Sequence, residues 1–161
     1  MSKPLSAVDL TKQIVRMNTI NPPGDEESCA RYLGSMLESA GCKVSYHKLS
    51  EQRASLVARI GGSSDKAPLC LTGHIDTVPL GAAPWSKDPF AGETADDRLY
   101  GRGTSDMKSG VAAFVAATVA LASRLERSPG LELVITAGEE IGCEGAFDLV
   151  RKHGALDRAG A

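Results

Sequence analysis

Leu69-Cys-Leu-Thr-Gly-His-Ile-Asp-Thr-Val78 is the stretch on which the reading of this chain turns. Four residues of strand character, Leu69 to Thr72, run into Gly73, and His74 and Asp76 follow two apart. On an extended backbone, side chains two apart share a face. The imidazole of His74 and the carboxylate of Asp76 are therefore expected to emerge together at the end of a buried strand. A carboxylate beside an imidazole fixes its tautomer and raises its basicity, which a metal-binding histidine needs from the groups behind it. Alone, an H-x-D is more often a surface histidine near an unrelated acid. Two further acidic sites at comparable positions overturn that reading.

Towards the N-terminus, Ser6 and Asp9 have the spacing of a capping box. Leu10, Ile14 and Met17 recur at helical spacing, which predicts a first helix over residues 7–17. Asn21-Pro-Pro-Gly24 breaks it. A second helix is predicted over 26–40, with acidic residues in its first turn and Gly41 as its stop. Its stripe of Leu33, Met36, Leu37 and Ala40 reads as core packing. Strands are predicted at 44–49, 55–60 and 68–72, the last after the turn Gly61-Gly-Ser-Ser-Asp65.

Beyond Asp76, a Pro- and Gly-rich loop over 78–89 holds the single tryptophan, Trp85, equally suited to lining a pocket or filling a gap. Asp96-Asp97 reads as the turn of a short hairpin ending at Leu99-Tyr100. Gly101-Arg-Gly-Thr-Ser-Asp106 leads into a helix over 107–125. That segment is rich in Ala and Val, apolar on most faces, and so expected in the interior. Pro129-Gly130 turns the chain into an apolar strand over 131–137, with Gly138-Glu-Glu140 at its end. A last helix over 144–153 and a small-residue tail follow. Alternating helices and apolar strands predict an α/β fold, a mixed and mostly parallel sheet with helices on both faces.

A chain of 161 residues fits one domain with a sizeable core. Its net charge of −2 lacks the basic footprint of a nucleic-acid binder. Cys29, Cys42, Cys70 and Cys143 are scattered without a C-x-x-C pair, which argues for reduced thiols in a cytoplasmic protein. Residues 1–10 have no signal-type apolar core, and the apolar run over 111–122 is too short to span a bilayer. No membrane partner is expected.

In an open α/β sheet, ligands gather beyond the carboxyl ends of the strands. Three polar sites hold such positions: His74 with Asp76, Asp106, and Glu139-Glu140. Gly73, Gly101, Gly103 and Gly138 precede them, where the backbone must turn tightly or approach something closely. Gly101-Arg-Gly103 lacks the third glycine of a dinucleotide loop, and the chain has no G-x-S-x-G elbow. Thr104 and Ser105 have no evident base and read as helix-start residues.

Gly73-His-Ile-Asp76, Tyr100-Gly-Arg-Gly-Thr-Ser-Asp-Met-Lys-Ser-Gly110 and Thr136-Ala-Gly-Glu-Glu-Ile-Gly142 resemble the signature blocks of one metallohydrolase family. It is the co-catalytic dizinc family of acetylornithine deacetylase, succinyl-diaminopimelate desuccinylase, aminoacylase and carboxypeptidase G. The blocks come in the family order, and the likeness covers nearly the whole chain. It implies a zinc-peptidase-like catalytic domain and a hydrolase that cleaves an amide bond of N-acyl amino acids or small peptides. It also implies two Zn2+, replaceable by Co2+ or Mn2+. His74 would bind one zinc with Asp76 steadying its ring, and Glu140 would bind the other. Asp106 would bridge both, with a cis peptide to Met107. Glu139 would be the general base, a role typically worth about 10²–10⁴-fold.

Members of that family are usually much longer, with a further acidic ligand, a late histidine and an inserted lid domain that often mediates dimerisation. The resemblance thus implies that residues 1–161 are the N-terminal portion of the catalytic domain, incomplete at its C-terminal end. The lid and the C-terminal catalytic part would be absent, and the full-length form would be a homodimer. Glu144, Asp148 and Asp157 come too early to supply the missing acid, and His153 reads as the last turn of its helix. Two other readings stay open. One is a weakly active or inactive metal-binding or association module using an exposed sheet edge. The other is a single-metal hydrolase built from His74, Asp106 and Glu140. The substrate itself is not legible, since many acyl amino acids share such a centre.

Overall fold

The computed structural model describes residues 6–62, 66–125 and 127–153. Helix α1, Ala7–Val15, starts where expected because the Ser6 hydroxyl accepts the Asp9 N–H at 3.4 Å. It turns Leu10, Ile14 and Val15 inward. Helix α2, Glu27–Ser39, buries Cys29, Ala30, Leu33 and Leu37, and the chain leaves it through Gly41 at φ +94. That left-handed angle is cheap only for glycine. The turn residues 63–65 and the tail from 154, with Asp157, lie outside the described residues.

Four strands form one sheet in the order β1-β2-β6-β3: β1 Lys43–Lys48, β2 Ala54–Ile60, β3 Leu69–His74 and β6 Leu131–Thr136. The sheet is mixed, as expected, but parallel pairing does not predominate. Only β3 with β6 is parallel, while β1–β2 and β2–β6 are antiparallel. The reason is connection length. A five-residue link over 49–53 can only fold β2 back along β1, whereas a parallel neighbour needs a long crossover. The segment from β3 to β6 contains the one long crossover helix that supplies it.

Alternation along the strands divides the core between two faces. Leu56, Ala58 and Ile60 of β2 join Leu131, Leu133 and Ile135 of β6 in the main cluster with α1, α2 and the crossover helix α3, Ser109–Leu125. Val57 and Val134 point the other way, onto Leu149 of α4, Glu144–His153. Helices thus cover both faces. All six residues of β6 are buried, including Glu132, whose carboxylate meets Arg59 at 2.9 Å. A carboxylate at such depth is tolerable only with a partner.

The hairpin β4, Glu93–Ala95, with β5, Arg98–Tyr100, turns on Asp96 and Asp97 at φ +50 and +56. Two left-handed residues match the right-handed twist of its strands. Before α3, a π-type turn over Thr104–Lys108 carries Asp106 and Met107 out of helical dihedrals, and the peptide joining them is cis. Helix α3 is not interior on most faces. Val111, Ala112, Val115, Ala116 and Thr118 are buried, but Ala113, Ala117, Ala120 and Leu121 face solvent. Alanine carries too little apolar surface to force burial. With its preceding turn the helix reaches 22 residues, Thr104–Leu125, long and apolar enough to cross a membrane by length and composition. In this fold its inner face is part of the core instead.

Two contacts set how the ends of these elements meet. Gly145 donates its N–H to the Ala137 carbonyl at 3.0 Å, and a Cβ there would lie 2.3 Å from that oxygen. Lys108, almost wholly buried, donates Nζ–H to the Ile14 and Met17 carbonyls at 2.9 and 2.8 Å, and so caps the end of α1. Burial pulls its pKa down to about 8.

Gly145→Ala is therefore expected to destabilise the fold by about 1–3 kcal/mol, as overpacking against backbone does. An unchanged urea midpoint would show that α4 can shift away. For Lys108, the native chain sheds a proton above about pH 8 that the unfolded chain keeps until the ordinary lysine range. This group's contribution to stability thus grows as pH rises above about 8 and is lost as pH falls through that value. Urea midpoints should rise with pH in the wild type relative to Lys108→Met; parallel curves would contradict the burial of a charged amine.

Candidate metal centre

The parallel pair β3–β6 places the centre. His74, the last residue of β3, sits in register with Thr136, the last of β6, so both chains leave the sheet at one end. The segment after β6 then carries Glu139 and Glu140 back across that end, and the turn before α3 brings Asp106. Ligand-type atoms of His74, Asp106 and Glu140 lie within 4.8 Å of one another. The His74 Nε2–Asp106 Oδ1 distance is 3.0 Å, and Glu139 Oε2 stands 3.9 Å from the same nitrogen. His74 is buried, Glu140 half-buried and Asp106 exposed, so the cluster opens to solvent on one side.

Behind it lies Asp76, fully buried. Its carboxylate accepts the backbone N–H of Glu139 at 3.0 Å and of Glu140 at 3.1 Å, and the Asn21 side-chain amide at 3.1 Å. Oδ1 is also 3.4 Å from His74 Nδ1, while the Asp76 main-chain carbonyl is closer, at 3.1 Å. The expectation that Asp76 steadies the His74 ring thus gains a second part. Both oxygens types of this residue face Nδ1, and most of the carboxylate's hydrogen bonding is spent on the Glu139-Glu140 segment.

The charges follow from this geometry. Burial alone would raise the Asp76 pKa, but His74, Asn21 and the two backbone amides hold it down to about 2. Burial likewise opposes a charge on His74, yet Asp76 and Asp106 outweigh it and push the imidazole up to about 9. Glu140 is raised by burial, with His74 partly offsetting. One imidazole nitrogen with its opposite nitrogen fixed, beside two carboxylates, is a donor set that suits zinc and its substitutes. These residues fit a metal ion.

All five residues singled out from sequence, His74, Asp76, Asp106, Glu139 and Glu140, meet here. Glu144 does not; it pairs with Arg53 at 2.8 Å. His153 is the last residue of α4. Trp85 is more than a third exposed, donates its indole N–H to the Leu80 carbonyl and lies 5.1 Å under the Arg102 guanidinium, so it covers an arginine rather than filling a core gap. Asn21 escaped notice because it reads as part of a helix-breaking Pro-Pro-Gly segment. Only a buried amide contact 55 residues along the chain reveals it.

Residues 70–161 match the family described as Peptidase family M20/M25/M40. A succinyl-diaminopimelate desuccinylase of Rhodospirillum centenum is 41% identical over 142 residues, covering 83% of this chain and 35% of that protein. A probable succinyl-diaminopimelate desuccinylase of Staphylococcus aureus is 38% identical over 152 residues, covering 93% and 36%. The solved structure of an M20 family metallo-carboxypeptidase from Sulfolobus solfataricus superposes with a TM-score of 0.79 at 25% identity, over 100% of this chain and 36% of that one. The chain spans roughly a third of the length of the curated relatives it matches. The matched region contains all three motif blocks and every residue of the cluster just described, and by that match the chain belongs to peptidase family M20/M25/M40.

Proposed function

We propose that residues 1–161 form the N-terminal portion of the catalytic domain of a metal-dependent amidohydrolase. In this reading His74, Asp106 and Glu140 hold its metal and Glu139 is the general base. The observation that carries it is the convergence of three donor atoms within 4.8 Å in front of a fully buried, fully engaged Asp76. The whole enzyme cleaves an amide bond of an N-acyl amino acid or small peptide. Relatives named desuccinylases favour release of a succinyl group from an amine. Free thiols at all four cysteines support a cytoplasmic setting, and the full-length form is taken to be a homodimer.

The proposed complement is two Zn2+, which His74, Asp106 and Glu140 would hold between them, with Co2+ or Mn2+ as substitutes. When bound, such ions polarise a scissile carbonyl and lower the pKa of a water. The chain's own residues do the rest. Asp76 fixes His74 so that Nε2 faces Asp106, and holds the backbone that presents Glu139 and Glu140. The Glu139 carboxylate, tethered through its own N–H but half-exposed, takes the proton from the attacking water and delivers it to the leaving nitrogen. The three-donor cluster also supports a one-ion reading for this chain by itself. Metal content per chain separates the two. With few ligands for each ion, the chain alone should hold zinc weakly and hydrolyse little.

His74→Ala should abolish Co2+ uptake, and Asp76→Asn should weaken it by about 10–100-fold, the usual cost of losing a ligand's support. Equal affinity in Asp76→Asn would contradict the role given to that carboxylate. In the enzyme that carries this chain, Glu139→Gln should leave metal content intact while lowering kcat on N-acyl amino acids by about 10²–10⁴-fold. Loss of metal instead would make Glu139 a ligand.

A further inference from the structure

Arg53 lies behind the centre, at the entry to β2, and its guanidinium is gripped from two sides. Nε is 3.4 and 3.3 Å from the two oxygens of Glu26, and Nη1 is 2.8 Å from Glu144 Oε2. Glu26, wholly buried, immediately precedes α2, and Glu144 opens α4. Two glycines make room for the arginine. A Cβ on Gly24 would lie 2.6 Å from Nε, and one on Gly138 would lie 2.4 Å from Nη2. Both glycines are left-handed, at φ +82 and +71.

These two glycines belong to the loops that reach Asp76 from its other side. Gly24 follows Asn21, whose amide donates to the Asp76 carboxylate; Gly138 precedes Glu139 and Glu140, whose N–H groups do the same. The two loops are thus tied twice, once through Asp76 and once through Arg53. Burying Glu26 is costly without a cation, and an apolar pair of similar volume is often as stable. The ion pair therefore points to geometry as its use. A planar, forked cation can serve Glu26 and Glu144 at once with Nη2 left close to Gly138, whereas an ammonium offers one point charge.

We propose that Arg53 is a positioning residue for the metal centre, its bridge from Glu26 to Glu144 fixing the turn 138–140 so that Glu139 and Glu140 are presented at Asp76. The proposal rests on the metal-centre reading above. Neither Arg53 nor its two partners belongs to the donor cluster itself.

The test is a Co2+ titration of the 161-residue chain followed by visible absorption, with thermal melts alongside. Arg53→Lys should weaken Co2+ about tenfold and alter the absorption bands that report coordination geometry. Glu144→Gln, which keeps the buried pair intact, should weaken it about threefold. Val115→Ala, a core truncation in α3, should lower the melting temperature and leave Co2+ affinity unchanged. Wild-type affinity and spectrum in Arg53→Lys would overturn the proposal. So would an equal loss of affinity in Val115→Ala, because binding would then merely follow stability. Should Arg53→Lys fail to fold, Glu144→Gln decides in the same way. Absence of Co2+ uptake by the wild-type chain would instead bring down the metal-centre reading, and the proposal with it.

Discussion

A carboxylate sealed from water must find its hydrogen bonds within the protein, and in this molecule that requirement falls on Asp76. It meets the need by drawing donors from three separate parts of the chain. Asn21 comes from the loop after α1, the Glu139 and Glu140 amides from the segment after β6, and His74 from the end of β3. Satisfying the buried charge and assembling the candidate site are therefore one event. The low pKa of Asp76 means that it stays ionised across the physiological range, so the tether does not slacken.

The sheet explains why this convergence is possible. Two neighbouring parallel strands end together, and the segments beyond them share a small volume. The antiparallel strands β1 and β2 contribute differently. They extend the core and carry Arg53 to the back of the same loops, where Glu26 and Glu144 hold it. The centre is thus supported by charged groups whose partners come from other elements. Lys108 adds a third tie, from the Asp106 turn to the Ile14 and Met17 carbonyls at and just beyond the end of α1. None of these supports is a candidate metal ligand, yet each fixes a segment that carries one.

Much of this was legible in the sequence, and what was not has a physical cause. Helix and strand positions followed from spacing and punctuation, so α1, α2, β6 and α4 fall within a residue or two of expectation. The five candidate site residues were legible because each follows a glycine within three residues, near the end of an apolar strand or hairpin. The short link over 49–53 already makes β1–β2 antiparallel, but the antiparallel pairing of β2 with β6 was not legible, because it depends on which strand β6 settles beside and no local pattern records that. The exposed face of α3 was misjudged because alanine signals helix without signalling burial. Asn21, Arg53, Glu26 and Lys108 stayed hidden since their partners are distant in sequence, and a polar residue beside a proline or at a strand edge looks like surface. Gly24 and Gly138 were visible as turn residues, but not as the space an arginine needs.

The account stands on three side chains converging on one metal centre. Anomalous diffraction at the zinc absorption edge, from crystals of this chain or of the longer protein grown with zinc, addresses that directly. The expected result is anomalous density at this cluster, within bonding distance of His74 Nε2 and of carboxylate oxygens of Asp106 and Glu140, with Asp76 behind the imidazole and outside the coordination sphere. A peak seated elsewhere, with these three side chains still hydrogen-bonded only to one another, would contradict it.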